Sequence, residues 1–399
     1  MLTGQTKIQY LVGDGHIRTA PSIPYEEKTC DFLQALSKAL REDREAKQYS
    51  DIQTFAFWIR KSNIQKLKEQ YLKSQRMSRL GKGLVFHIAP SNVPINFAYT
   101  LVFGLLAGNS NIVKVSSKQF IQTTIICRVI KELTENPDFL WVQQQNAVVM
   151  YDRDNRECTD FFSGQCDVRV IWGGNQTIEE IRKSPIPARS TDVTFADRYS
   201  FGVISAEAVC EASDQEISKL ARDFYNDTYL MDQNACSTPH MIFWTGNENC
   251  VKAAQRRFWT AIYEASKKYD LADLKVSDKY TLLCKFAVEM QAEFLHFENR
   301  LYVLNIDEIN DSILKYRGKY GLFFQHYVKK PEEIFSYVND RTVQTCAVYG
   351  IDKTELLKKL IDSNLMGIDR IVSFGQTLDI GTVWDGYDVI DGLSRCIFV

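Results

Sequence analysis

The chain reads as an α/β protein made of two successive doubly wound units. Three observations carry that reading. From residue 83 onward, short apolar runs alternate with amphipathic stretches of helical period, the pattern of parallel βαβ units. The alternation restarts behind Ser213-Asp214-Gln215-Glu216, a capping-box sequence followed by the apolar stripe Ile217, Leu220, Ala221, Phe224 and Tyr225. The length, 399 residues, suffices for two or three domains and a sizeable core.

Ahead of the alternation the chain is helical. Phe32, Leu33, Leu36 and Leu40 recur at helical spacing, and Phe55, Trp58, Ile59, Leu67 and Tyr71 predict a second amphipathic stretch. Strands are expected at 84–88, 112–115, 147–150, 168–172 and 201–204, with helices at 96–106 and 120–133 between them. In the second unit, strands are expected at 241–245, 301–305, 322–327 and 345–349. One helix opens on Pro331-Glu332-Glu333 and another on a capping box, Asp352-Lys353-Thr354-Glu355. From Gly367 a strand is expected, then Gly- and aromatic-rich coil. The boundaries read as 1–206 for N-terminal helices plus a nucleotide-binding domain, 207–366 for a second domain, and 367–399 for a C-terminal return segment.

Composition narrows the function. Hydrophobic residues at 45%, charged residues at 25% and a net charge of -2 are those of a globular protein without a nucleic-acid surface. The N-terminus lacks the apolar core of a signal peptide, and the longest apolar stretch, 97–107, is too short to span a bilayer. A cytoplasmic protein with reduced thiols is therefore expected. The 10 cysteines include no Cys-x-x-Cys pair, so no metal site is expected.

Four runs could carry chemistry. Ala89-Pro90-Ser91-Asn92-Val93-Pro94-Ile95-Asn96 follows a strand, at the carboxyl end where open α/β sheets bind ligands. Asn92 reads there as a helix cap as readily as a ligand contact. Gly108-Asn109-Ser110-Asn111-Ile112-Val113-Lys114-Val115-Ser116-Ser117 is a tight turn feeding a strand. It ends in a lysine and two hydroxyls that suit a phosphate or ribose, or simply a surface. In Ile171-Trp172-Gly173-Gly174-Asn175 a glycine pair opens a helix, leaving room for a ligand at backbone amides or making an ordinary turn. No G-x-G-x-x-G follows a strand. The fourth is Cys236, in Asp232-Gln233-Asn234-Ala235-Cys236-Ser237-Thr238-Pro239-His240. It alone among the cysteines has small polar neighbours at a helix–strand junction. His240 is close in sequence but, on a strand, has no assured reach as a base.

In this order the four runs resemble the aldehyde dehydrogenase superfamily. More closely, the chain resembles the acyl-CoA reductase family typified by the reductase subunit (LuxC) of bacterial bioluminescence fatty-acid reductases. The residues are His87-Ile88-Ala89-Pro90-Ser91-Asn92-Val93-Pro94, Phe195-Ala196-Asp197-Arg198-Tyr199-Ser200, Gly367-Ile368-Asp369-Arg370-Ile371-Val372 and Trp384-Asp385-Gly386-Tyr387-Asp388. The resemblance implies an aldehyde dehydrogenase-like fold, two doubly wound α/β domains with a cleft between them. It also implies NADPH-dependent reduction of a long-chain fatty acyl-CoA or other acyl thioester to the aldehyde. Cys236 would be the nucleophile, with the Asn92 amide and the Cys236 N–H holding the oxyanion. Pro90, Ser91, Lys114, Ser116, Ser117, Trp172, Gly173 and Gly174 would bind the cofactor.

Hydrolytic relatives carry a glutamate base that activates water. Between residues 190 and 206 this chain has only Asp192 and Asp197 as acids. The glutamate that holds the nicotinamide ribose is not evident around residues 317–324. Ser117 stands where NAD-preferring relatives place a ribose-binding glutamate, which tilts the cofactor to NADPH. The family further implies a partner enzyme that activates or transfers the acyl group, and a homo-oligomer. The rival readings are an acylating or phosphorylating semialdehyde dehydrogenase for a short polar substrate, a non-catalytic docking partner of an acyl-activating enzyme, and a thiol-dependent hydrolase.

Overall fold

The computed structural model describes residues 8–74, 77–289, 293–309 and 312–398. The chain divides into two compact units, Met1–Ala196 with Thr382–Val399, and Asp197–Gly381.

The first unit is built on a six-stranded sheet among the described residues. Leu84–Ile88 is flanked on one side by Ser110–Val115, then Asn146–Met150 and the antiparallel edge Gln9–Val12. On the other side lie Val168–Trp172 and Thr191–Phe195. All pairings but that of the Gln9 edge are parallel. Strand order therefore reverses between Leu84–Ile88 and Val168–Trp172, the switch point at which doubly wound sheets open a ligand crevice. The helix Asn96–Leu106 is apolar nearly all round and is buried on every turn, as a helix without a wet face must be. Gly104 permits its close approach, because a Cβ there would stand 1.8 Å from Asn111 Oδ1. Gly108, at φ +81°, makes the turn into Ser110–Val115 against the Ser22 carbonyl, 2.1 Å from where a Cβ would lie.

Five side chains on and beneath that helix form one directed hydrogen-bond chain. Trp172 Nε1 donates to Thr100 Oγ1 at 3.1 Å. Thr100 in turn donates to His87 Nδ1 at 2.7 Å, and His87 Nε2 donates to Asn111 Oδ1 at 3.0 Å. Asn111 then donates to Asn146 Oδ1 at 2.8 Å. The two His87 partners fix a neutral ring, and burial pushes its pKa down to about 4. Arg169 is also buried, forking onto Asp192 at 2.8 and 3.0 Å while donating to the Ser184 carbonyl at 2.8 Å.

The second unit is a seven-stranded sheet among its described residues. Its order is Phe294–Phe297, Leu301–Asn305, Leu322–Tyr327, Pro239–Thr245, Tyr199–Ser205, Val343–Tyr349 and Arg370–Ser373, parallel except for the Phe294 edge. Tyr199–Ser205, expected as the last strand of the first unit, lies inside this sheet, between Pro239–Thr245 and Val343–Tyr349. Its side chains feed both faces: Tyr199, Phe201 and Val203 join one core cluster and Ile204 the other. The expected Ser213 capping box is present, with Glu216 and Ser213 bonded reciprocally.

Three local expectations change. The second amphipathic stretch is two helices, Ser50–Trp58 and Lys61–Ser74, because Asn63 Nδ2 takes the Trp58 carbonyl at 2.7 Å and ends the first. Pro331 opens a short 3₁₀ turn, Pro331–Ile334, ahead of one α turn, Phe335–Val338. The C-terminal coil is ordered. Val383–Trp384 and Tyr387–Asp388 pair through Asp385-Gly386, both at positive φ as a tight hairpin requires. Helix Val389–Leu393 follows, and Ser394–Ile397 pairs with Ser78–Gly81. No helix is long and apolar enough to cross a membrane among the described residues.

Candidate active site

In the first unit the expected cofactor residues gather at the carboxyl ends of three adjacent strands. The register pairs Ile88 with Lys114 on one side and with Ile171 on the other. Pro90, Ser91 and Asn92 leave the central strand, Lys114 to Ser117 its neighbour, and Trp172 to Gly174 the strand across the switch point. Asn92 is exposed and caps nothing: the helix starts at Asn96 with Ile95 as its cap residue. The amide expected as a possible cap is thus left facing outward. Lys114 is half-buried, its amine 5.3 Å from the Tyr151 ring centroid. Burial, helped by the Arg153 charge, lowers its pKa.

Trp172 is held on two sides. Its ring stacks on Phe195 at 3.8 Å and 14°, and its indole N–H enters the His87 chain. The glycine pair behind it opens helix Asn175–Arg182, which has Gly174 at its cap and no side-chain cap bond. A Cβ on Gly174 would meet open space. The helix therefore presents uncapped N–H groups beside an unfilled cradle, the arrangement that receives a phosphate. A cavity of about 440 Å³ lined by Val115, Ser116, Lys118, Phe120, Arg128 and Met150 adjoins the end of the Lys114 strand. These features fit a nicotinamide dinucleotide.

The second unit holds Cys236 at the amino ends of its strands. Helix Asp214–Thr228 and the turn Tyr229–Met231 lead into the loop, and Pro239–Thr245 leads out. Asp232 and Gln233 are both left-handed, at φ 53° and 57°, which reverses the chain within two residues. Side chains stabilise that unfavourable backbone. Asp232 Oδ1 accepts from Lys275 Nζ at 2.9 Å and from the Tyr269 hydroxyl. Buried Gln233 accepts from Gly321 N–H at 2.5 Å and donates to the Leu322 carbonyl at 3.0 Å. Thr238 donates to the Asp227 carbonyl at 3.0 Å. Asp227 also anchors the Gly375 and Thr377 N–H groups, at 2.6 and 3.1 Å, and burial pushes its pKa up to about 7.

Cys236 is half-buried and outside any disulfide. Ser200 Oγ donates to its carbonyl at 2.8 Å, and Gln344 Nε2 donates to its sulfur at 3.5 Å. His240 is buried against Tyr199, with ring centroids 5.6 Å apart, and its Nδ1 has no hydrogen-bond partner. Burial, with the Arg317 charge, pushes its pKa down to about 3. The two acids between residues 190 and 206 are both engaged by arginine: Asp192 by Arg169, and Asp197 by Arg317 at 3.0 Å.

Ser200 and Gln344 were not picked out as site residues from the sequence. Ser200 closes the run Phe195-Ala196-Asp197-Arg198-Tyr199-Ser200, so its signal lay in the resemblance. That run also meets Gly367-Ile368-Asp369-Arg370: Arg198 pairs with Asp369, and the Ile368 and Asp369 N–H groups bond the Val343 and Gln344 carbonyls at 2.9 and 2.8 Å. Gln344 had no local signal, because its contact with Cys236 spans 108 residues of chain.

The fold is that of the aldehyde dehydrogenases. A salicylaldehyde dehydrogenase from Pseudomonas putida G7 superposes with a TM-score of 0.67 at 13% identity, over 95% of this chain and 86% of that one. Aldehyde dehydrogenase 21 from Physcomitrella patens gives 0.65 at 11%, over 92% and 84%. Within that class, the chain belongs to the acyl-CoA reductase (LuxC) family, whose model matches residues 22–396. It is similar to the long-chain acyl-protein thioester reductases of Aliivibrio fischeri, 22% identical over 339 residues and 82% of this chain, and of Vibrio harveyi, 20% over 326 residues and 79%. It spans 64% and 63% of the lengths of those two relatives.

Proposed function

We propose that this protein reduces a long-chain acyl thioester, acyl-CoA or acyl-protein, to the aldehyde with NADPH, through a thioacyl adduct on Cys236. The observation that carries the reading is the Cys236 loop itself. Its left-handed reversal is held by the Asp232, Gln233, Thr238 and Ser200 bonds in one arrangement, with a hydrogen-bond donor on the sulfur.

As thiolate, Cys236 attacks the thioester carbonyl and expels the acyl carrier's thiolate, which takes a proton from solvent. We assign the oxyanion to the Asn92 side-chain amide, which lies exposed and caps no helix, and to the Cys236 N–H. NADPH at the carboxyl edge of the first unit would supply the hydride that reduces the thioacyl carbon, after which the C–S bond would break to release the aldehyde and return the Cys236 thiolate. Lys114, Ser116 and Ser117 would hold its ribose side and the Gly173–Gly174 turn its diphosphate, with Trp172, Pro90 and Ser91 as walls. The arginine pairing of Asp192 and Asp197 leaves neither as a ready base for water, which favours reduction of the adduct over its hydrolysis. A partner that delivers the acyl group, and a cytoplasmic homo-oligomer, complete the reading by family likeness.

The experiment is aldehyde formation from tetradecanoyl-, octanoyl- and acetyl-CoA with NADPH and NADH, followed at the nicotinamide absorbance. Long chains with NADPH should be preferred, and Cys236→Ala should lose at least ~10³-fold in rate. Retention of activity in that variant sinks the mechanism, and preference for a short polar substrate moves the protein to the semialdehyde class.

A further inference from the structure

We propose that Gln344 is the hydrogen-bond donor that holds the Cys236 sulfur in its thiolate form before acyl transfer. A reactive cysteine is commonly lowered by a helix N-terminus or an adjacent cation. Neither stands next to Cys236 in the chain: the loop follows the carboxyl end of helix Asp214–Thr228, the end whose dipole disfavours an anion. No Lys or Arg occurs between Asp232 and His240. The buried histidine of that run, His240, is held neutral.

Gln344 is a polar side chain that meets the sulfur. It is fully buried at the amino end of Val343–Tyr349, with Nε2 at 3.5 Å from Sγ, an ordinary separation for a donor to sulfur. Its amide has a defined sense, because the Thr345 hydroxyl donates to Oε1 at 3.1 Å and leaves the NH₂ group for the sulfur. The same dipeptide grips the main chain of Cys236. Thr345 N–H donates to Ser200 Oγ at 3.2 Å, and Ser200 donates to the Cys236 carbonyl. Gln344 and Thr345 thus fix both the position of the sulfur and the direction from which a donor reaches it.

The chemistry follows from the donor. An N–H bond to sulfur is stronger when the sulfur is charged, so it favours S⁻ over S–H. The thiol proton leaves to solvent and the amide keeps both of its own. When the S–C bond forms, the sulfur loses its charge and the bond from Gln344 weakens. Gln344 therefore acts on how much Cys236 is ready, not on the hydride step. A carboxamide stays neutral, so this device does not itself titrate.

The proposal rests on Cys236 as the nucleophile, but its test needs neither substrate nor nicotinamide. The full chain is alkylated with iodoacetamide across a pH series, and the Cys236 rate is read by peptide mass spectrometry, which separates it from the other cysteines. In Gln344→Leu the midpoint should rise by about one pH unit, a roughly tenfold loss of rate below it. Thr345→Val, which removes the bond that sets the amide, should move the midpoint the same way by less, and serves alone if the leucine variant does not fold. Folded variants whose Cys236 profile superimposes on the parent's overturn the proposal. A shifted profile in a protein that makes no aldehyde keeps Gln344 and removes the reductase reading. Aldehyde formation with an unshifted profile does the reverse.

Discussion

The two sheets use opposite ends of their strands. In the first unit the working loops leave carboxyl ends and run into helix N-termini, so backbone donors face outward and side chains such as Asn92 and Ser91 stay exposed. In the second unit the nucleophile loop arrives from a helix carboxyl end and meets the amino ends of Pro239–Thr245, Tyr199–Ser205 and Val343–Tyr349. The helix carboxyl end supplies carbonyls, not donors. The loop there is pinned by side-chain bonds at Asp232, Gln233, Cys236 and Thr238. The first site is shaped by backbone and left open for a ligand. The second is shaped by side chains and closed on itself.

The contrast makes mutations in the two units separable. The largest effect on stability is expected beneath the first site. Arg169→Met would take the buried fork from Asp192, leaving it only Arg182 at 3.5 Å, and would unpair the Ser184 carbonyl; it should cost about 3 kcal/mol, read as a fall in thermal midpoint. Asn92→Ala, on the open rim of the same unit, should lower kcat by ~10²–10³-fold with an unchanged thermal midpoint. A drop in midpoint of the Arg169 kind would mean that Asn92 is structural and the contrast fails.

Acid should act against both buried histidines, while in the second unit Asp227, held up at about 7, gains stability as pH falls and opposes His240. His87 in the first and His240 in the second are buried and neutral, with pKa values pushed down to about 4 and about 3. Their unfolded values lie near ~6.5, so below that pH the unfolded chain binds protons that the native chain refuses. Their contribution is complete above ~6.5 and is lost as pH falls toward 4, on the order of 3 kcal/mol for His87. The change in denaturant midpoint between pH 7 and pH 4.5, compared in the parent and in His87→Gln, measures the His87 share, and the same change in both would refute it. The smallest effect is at the pinned loop: Thr238→Val should cost about 1 kcal/mol by unpairing the Asp227 carbonyl. If it also slows Cys236 alkylation, pinning and reactivity are coupled.

Much of the fold was legible because its inner strands are predominantly apolar runs. Leu84–Ile88, Val168–Trp172, Leu301–Asn305 and Leu322–Tyr327 lie at the residues read from the sequence, as does helix Asn96–Leu106. The edges were not. Thr191–Phe195, Ser78–Gly81 and Ser394–Ile397 carry polar residues on their wet faces, so their strand character depends on the neighbour they pair with. The rim of the first unit could be read because each expected residue follows directly on a strand. The setting of Cys236 could not. Ser200, Asp227 and Gln344 reach its loop from other strands and helices, and no local spacing announces a contact made by parallel register.

The return of the chain to the first unit has a consequence for biosynthesis. Ser394–Ile397 is the strand that covers Ser78–Gly81, and Arg79 is tied to Ser394 and to the Asp391 carbonyl. As the chain leaves the ribosome, everything from Asp197 to Gly381 is complete before that cover is made. The earlier half must therefore wait, with one edge unprotected, until its last segment emerges. A nascent chain stalled just after Gly381 should already protect the later unit from protease while the Ser78–Gly81 edge remains open to cleavage or to a chaperone.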